Sequence, residues 1–166
     1  MTPDEAILIA SKDLEGCTIT EIEEYKNVYA VYFLNNEYLK SGDSRDLLIG
    51  AGPRIVIKAT GELLITGSGK SGLEYAMAYD ACGDVYGRLI DSLVLYGTPP
   101  SIDKVRSILE LKKICEISLV EAKQAVNEII ESGSVRFDFD CYCQVEYKVE
   151  MLKEKGFKVR QLWSTE

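Results

Sequence analysis

Apolar and polar positions along this chain repeat with two periods, and the switches between them mark its elements. The densest pattern lies between Leu48 and Gly67, LIGAGPRIVIKATGELLITG. Arg54 to Lys58 is a β-branched run of strand length, and Glu62 to Thr66 is a second apolar run. Ala59-Thr60-Gly61 joins them, and Gly61 supplies the positive φ that a tight hairpin turn requires. Two strands alone are marginal in water, so this hairpin needs further strands or a covering helix around a half-buried sheet.

The flanking sequence provides both. Thr2-Pro3-Asp4-Glu5 opens a helix with a cap, a proline at the first helical position and a glutamate three residues after the cap. Ala6, Ile7, Ile9, Ala10 and Leu14 carry it to about Asp13, and Gly16 ends it. Cys17 to Glu24 and Val28 to Leu34 read as strands joined through Tyr25-Lys26-Asn27. Glu37 to Asp46 is an irregular, partly helical excursion, and Ser71 to Glu74 is a capping box opening another helix. Residues 1–84 therefore form an antiparallel sheet covered by helix, in the α+β class.

After a linker from Cys82 to Arg88 the pattern restarts. Leu89 to Tyr96 is a strand, and Ser101 caps a helix whose apolar face is Val105, Ile108, Leu109 and the Lys112 stem. Ser118 and Glu121 form a third capping box, opening a helix with Leu119, Ala122, Val126, Ile129 and Ile130 inward. Val135 to Phe139 alternates as an edge strand does. Tyr142 to Lys155 is a helix with Val145, Val149 and Leu152 on one side, and Phe157 to Trp163 closes the unit. Residues 88–166 thus read β-α-α-β-α-β, a second α+β unit.

Composition narrows the function. The 166 residues are 46% hydrophobic, no stretch approaches a membrane span of about 20 apolar residues, and no leader pattern opens the chain. Five scattered cysteines point to reduced thiols and a cytoplasmic protein rather than a disulfide framework. The net charge of −8 opposes nucleic-acid binding and favours a basic protein partner. The charge is uneven: residues 1–96 hold 8 Lys/Arg against 15 Asp/Glu, and the remainder 11 against 12.

Little in the sequence suggests catalysis. With no histidine, Ser-His-Asp and Cys-His chemistry are excluded, and most transition-metal sites with them. Cys141-x-Cys143 has no second thiol pair to complete a metal site, and no cofactor is expected. Gly67 to Gly72 (GSGKSG) is superficially a phosphate loop but lacks the first glycine at the required spacing. Acidic groups remain: Glu21, Glu23 and Glu24 on a strand, and Asp43 and Asp46 in the excursion. No motif fixes them as an acid/base pair.

Several runs in the first half resemble one family. They are Val28 to Phe33, Leu39 with Gly42-Asp43, Gly50 to Ile57, Thr60-Gly61-Glu62, Gly67-Ser68-Gly69, and Leu73-Glu74-Tyr75 with Tyr79. Together they resemble the immunity protein 35 family of bacterial polymorphic toxin systems, over residues 3–82. The resemblance implies a cytoplasmic, non-enzymatic protein that binds and neutralises a cognate toxin. The second half is similar to the C-terminal domain of the ribosomal stalk protein that recruits translation factors. Lys104-Val105 with Ile108, Ser118 to Lys123 and Leu152 to Val159 carry that likeness. It departs at Glu116 and Ser118, where the stalk has glycines, and at Leu109, where it has a basic residue. That half implies an alternative, a chaperone-like or translation-linked accessory module.

The expected toxin contact is therefore acidic and aromatic: Glu21, Glu23, Glu24, Asp43 and Asp46, with Tyr29, Tyr32 or Tyr38 as anchors. Many toxins act on nucleic acid and are basic, so opposite charge would steer the encounter. Residues 29 and 31 share one sheet face and 32 takes the other, so at most two of the three tyrosines can be exposed.

Overall fold

Strands β2 (Val28–Asn35) and β3 (Ala51–Ile57) are apolar at nearly every position because both of their faces are covered. They are the middle of an antiparallel meander, β1-β2-β3-β4, completed by β1 (Cys17–Glu24) and β4 (Leu63–Gly67). Helix α1 (Pro3–Ala10) packs Ala6 and Ala10 against Tyr29, Val31 and Val56 on one face. Helix α3 (Gly72–Cys82) packs Tyr75 and Ala76 against Val28, Ala30, Ile55 and Ile57 on the other. The half-buried sheet expected from the sequence is thus buried on both sides at its centre, which is why these two strands read as continuous apolar runs. The computed structural model describes residues 1–100 and 103–165, with the side chains of Tyr142 and Cys143 outside that description. The chain divides at Gly87/Arg88 into two units, and the class is α+β.

Two glycines of the first unit lie at a turn and at a close contact. Gly61 has φ +74 in the β3–β4 turn. Gly72, the first residue of α3, leaves no room for a side chain: a Cβ there would lie 2.6 Å from Ala30 Cβ and 2.7 Å from the Tyr32 hydroxyl. Only a glycine lets α3 approach β2 this closely.

Helix α1 stops at Ala10 rather than Asp13, and Arg54 accounts for its end. Residues 11–13 form a turn in which Asp13 has φ +56. The Arg54 side chain, 6% exposed, donates to the carbonyls of Ala10 (2.9 Å), Lys12 and Asp13 (3.3 Å). A guanidinium at a helix C-terminus meets the negative end of the helix dipole and the carbonyls that lack intrahelical partners. Its planar fork suits several acceptors at once. The face of the Phe33 ring lies 5.5 Å from its centre.

The second unit is built on sheet β6-β5-β7, with β5 (Arg88–Gly97) flanked antiparallel by β6 (Val135–Asp138) and β7 (Lys158–Ser164). Helices α4 (Lys104–Cys115), α5 (Leu119–Ser132) and α6 (Tyr142–Glu154) complete the order β-α-α-β-α-β. Leu93, Leu95 and Val159 of the sheet meet Leu111, Val126, Val145 and Leu152 in one core. Strand β6 is an edge strand, as its alternation suggests.

Two helix faces differ from expectation. Helix α4 buries Ser107, Leu111, Ile114 and Cys115, whereas Val105 (66% exposed) and Leu109 (53%) lie on the roughly opposite side. Ser107 tolerates burial because its hydroxyl donates to Asp103 O at 3.0 Å. The helix is capped by Asp103, which accepts from Arg106 N; Ser101 lies outside the described residues. Helix α5 buries Ala122, Ala125, Val126 and Ile129, leaving Leu119 and Ile130 exposed on one flank of the stripe.

Lys148 plays for α4 the part that Arg54 plays for α1. Its ammonium, on a side chain 8% exposed, donates to Ile114 O at 3.1 Å and pairs with Glu116 at 2.6 Å. That pairing holds the Glu116 carboxyl below the ordinary glutamate range. Burial pushes the neighbouring Cys115 thiol up to about 12, so it stays protonated at neutral pH.

Replacing Arg54 with Met keeps an apolar stem but strips the α1 carbonyls of their donor. We expect a loss of about 3 kcal/mol in chemical denaturation, with the amides of α1 and β2 losing hydrogen-exchange protection first.

Candidate partner-binding surface

The expected contact residues fall into three separate settings. On β1, Glu21 and Glu23 face the α3 side of the sheet, while Glu24 faces the α1 side. A bulge between Ile19 and Glu21 shifts the phase, so that Ile19 and Ile22 both pack toward α1. The three glutamates therefore do not form one charged face.

One of them, Glu23, is tied into the fold. The Glu23 carboxylate accepts from the Tyr25 hydroxyl at 2.7 Å and the Tyr32 hydroxyl at 2.8 Å. Tyr32 in turn accepts from the Gly72 amide at 3.0 Å, so this chain of bonds ties β1 and β2 to the start of α3. Burial first, and then the Glu23 carboxylate, raise the titration of both tyrosines above the ordinary range. Glu24 pairs with Lys58 at 2.8 Å, and this holds its carboxyl below the ordinary glutamate range. Glu21 is exposed.

The tyrosines divide in the same way. Tyr29 is 2% exposed, and its ring lies 4.5 Å from the Lys58 ammonium, so it is a core residue and cannot anchor a partner. Its position opposite Val56, between α1 and the sheet, dictates this. Tyr32 and Tyr38 are half-buried.

Asp43 and Asp46 belong to the excursion between β2 and β3, which is ordered by side-chain bonds rather than by a core. It comprises α2 (Asn36–Ser41), a 3-10 turn (Ser44–Asp46) and the segment from Leu47 to Gly50. Asn35 caps α2, accepting from Tyr38 N at 2.7 Å, and its amide also donates to Asp46 O. Ser41 donates to the Asp46 carboxylate at 2.5 Å. Asp43 caps the 3-10 turn and pairs with Arg45, which lowers its titration. Thr18 donates to Asn36 Oδ1 at 2.6 Å, and Ser68 N donates to Gly50 O at 3.1 Å, fixing the two ends.

Beside its exposed Glu37, Lys40 and Arg45, the excursion also presents aliphatic side chains to solvent. Leu39 is 48% exposed, Leu48 47% and Ile49 96%, and Leu47 is also exposed. Sequence reading picked out Tyr38, Asp43 and Asp46 here but passed over these aliphatic residues. Three consecutive large apolar residues outside any strand ladder were the available signal. The excursion adjoins the Cys17–Asn35 end of the β1–β2 pair and Glu24 the Tyr29 end, about 20 Å apart at strand rise. The expected residues thus do not form one patch.

Other candidates have simpler settings. At the phosphate-loop look-alike, Glu74 accepts from Ser71 N, Tyr32 accepts from Gly72 N, and Lys70 donates to Gly87 O at 2.6 Å. The Ser71 and Gly72 amides are therefore occupied, and the sheet is antiparallel. Cys141 is a free, half-buried thiol, and the Cys143 side chain lies outside the described residues. Among the described residues no group of three or more His, Cys, Asp or Glu converges as metal ligands would. None of their helices is long and apolar enough to cross a membrane. The second unit has an open cleft of about 430 Å³, lined by Val94, Tyr96, Ser134 and Arg160.

The two classes of glutamate should separate in a stability measurement. Glu23→Lys leaves two tyrosine hydroxyls without their acceptor and should cost about 2 kcal/mol in denaturant. Glu21→Lys should fall within about 0.5 kcal/mol of the parent, as exposed substitutions do.

Compared with protein-family models, curated proteins and solved structures, the chain matches none.

Proposed function

We propose that this chain is an immunity-type protein that binds a cognate bacterial toxin domain and neutralises it by protein–protein contact, without catalysis or cofactor, in the cytoplasm. The observation that carries the reading is the acidic character of the first unit. Residues 1–96 have a net charge of −7, and Glu21, Glu37, Glu62 and Asp80 are exposed on it. The resemblance of residues 3–82 to the immunity family supports the same conclusion. A charge of this sign and density attracts a basic domain over roughly a Debye length, about 8 Å at physiological salt. It thereby raises the rate of encounter more than the lifetime of the complex.

A second reading keeps the chain among interaction proteins but moves the contact. Val105, Leu109, Leu119 and Val120 of the second unit are exposed apolar residues, and the stalk-like pattern of residues 88–166 would suit a translation-linked or chaperone-like accessory role.

Affinity capture from the producing bacterium with the tagged chain identifies the partner. The proposal expects a basic toxin domain encoded beside this chain. Glu21→Lys with Glu37→Lys should then lower the association rate several-fold at low salt, with the difference shrinking as salt rises. If that variant protects cells as well as the parent while substitutions at Lys104 and Lys123 abolish protection, the toxin contact lies on the second unit; capture of translation components and no toxin would favour the second reading.

A further inference from the structure

Apart from any toxin contact, we infer that the outward face of the second unit's sheet holds a small organic phosphate, a phosphomonoester joined to a planar ring as in a mononucleotide. Leu93, Leu95 and Val159 of sheet β6-β5-β7 enter the core beneath the helices. Side chains alternate along a strand, so Ser92, Val94, Arg136, Asp138, Lys158 and Arg160 point away from that core. The open cleft of about 430 Å³ lies on this face, lined by Val94, Tyr96, Ser134 and Arg160. Small-molecule sites occupy roughly 300–1,000 Å³.

Charge selects the phosphate. Val94 lies opposite Arg136 on one strand and Arg160 on the other. Arg136 is committed, donating to Asp138 at 2.8 Å and to the Ser92 hydroxyl at 2.9 Å. Asp138 is the only acid among those six outward residues, and Arg136 offsets it. Arg160 and Lys158 make no hydrogen bond or ion pair with any described residue. The Lys158 stem crosses Gly97, where a Cβ would lie 2.9 Å from Lys158 Cδ, next in sequence to Tyr96. Two uncommitted cations match a phosphomonoester, which carries about −1.5 to −2 at neutral pH, better than a carboxylate. The Arg160 fork suits two of its oxygens.

Tyr96 selects the planar part. A register shift between Leu95 and Gly97 leaves it without a partner on β7, and it stands 48% exposed in the cleft. An exposed aromatic ring beside cations stacks a flat heterocycle. A long nucleic acid fits less well, because a chain of net charge −8 repels a polyanion. A short ligand senses mainly the charges within a Debye length, about 8 Å at physiological salt.

The test titrates the full-length, isotope-labelled chain with adenosine 5′-monophosphate and follows its amide resonances. Saturable shifts should gather at residues 94–97, 134–136 and 158–160. Adenosine and inorganic phosphate should each bind about 10-fold more weakly or worse, since each lacks one half of the recognition. Arg160→Gln should weaken the nucleotide about 10-fold and Tyr96→Leu several-fold, with melting temperatures unchanged because both side chains are exposed. Arg106→Gln, an exposed change on α4, should bind as the parent does. No saturable shift at millimolar nucleotide, or equal binding by Arg160→Gln and the parent, would overturn the inference. So would inorganic phosphate binding as tightly as the nucleotide. A single-stranded oligonucleotide that binds the same residues more tightly than the mononucleotide would assign the face to a polymer and overturn it as well. Each of these results leaves the proposed toxin binding standing.

Discussion

The first unit is organised around a buried cation that has no ion-pair partner among the described residues. Arg54 sits in the middle of the sheet and reaches the open end of α1, where three backbone carbonyls take its protons. Desolvating a guanidinium is costly, and without those acceptors its burial would not be sustained. Its Nε remains without a partner, so the arrangement is close to but not wholly satisfied. Its effect is directional: α1 can end only where those carbonyls meet Arg54. That position places Ala6 and Ala10 over Tyr29, Val31 and Val56 and buries the second face of β2 and β3. The second unit repeats the device with Lys148 at the end of α4, there with Glu116 completing the shell.

Burial of both faces of the central strands has a consequence for the surface. The middle of the sheet is committed to α1 and α3, so Tyr29 and the apolar runs of β2 and β3 cannot contact a partner. What remains available is the outer edge of β1, the excursion between β2 and β3, strand β4 and the outward faces of α1 and α3, where Leu8, Ile65, Leu73 and Met77 are exposed. Glu23 shows how little of the acidic strand is free, because its carboxylate joins β1 to the start of α3 through Tyr32.

Much of this fold was legible in the sequence, for identifiable reasons. The capping boxes at Thr2, Ser71 and Ser118 placed three helix starts to the residue, because each is a local bond pair independent of tertiary context. The Thr-Gly turn and the β-branched runs placed the central hairpin. Periodicity failed where apolar content was ambiguous. In α4 the stripe through Val105 and Leu109 competes with one through Leu111, Ile114 and Cys115, and burial of Ser107 decided for the latter. Arg54 read as one polar residue in a strand, since nothing local says that its partners lie more than forty positions earlier. At the candidate surface, acidity was readable from composition. The split between structural and free carboxylates depends on Tyr25, Tyr32 and Lys58 meeting them in three dimensions.

In the proposed function the acidic first unit makes the contact with the toxin. Hydrogen–deuterium exchange of the full chain with and without its toxin domain tests this most directly. Slowed exchange within the first unit, with α4 and α5 unchanged, is the expected result. Slowed exchange confined to residues 104–132, with the first unit exchanging as in the free protein, would contradict it.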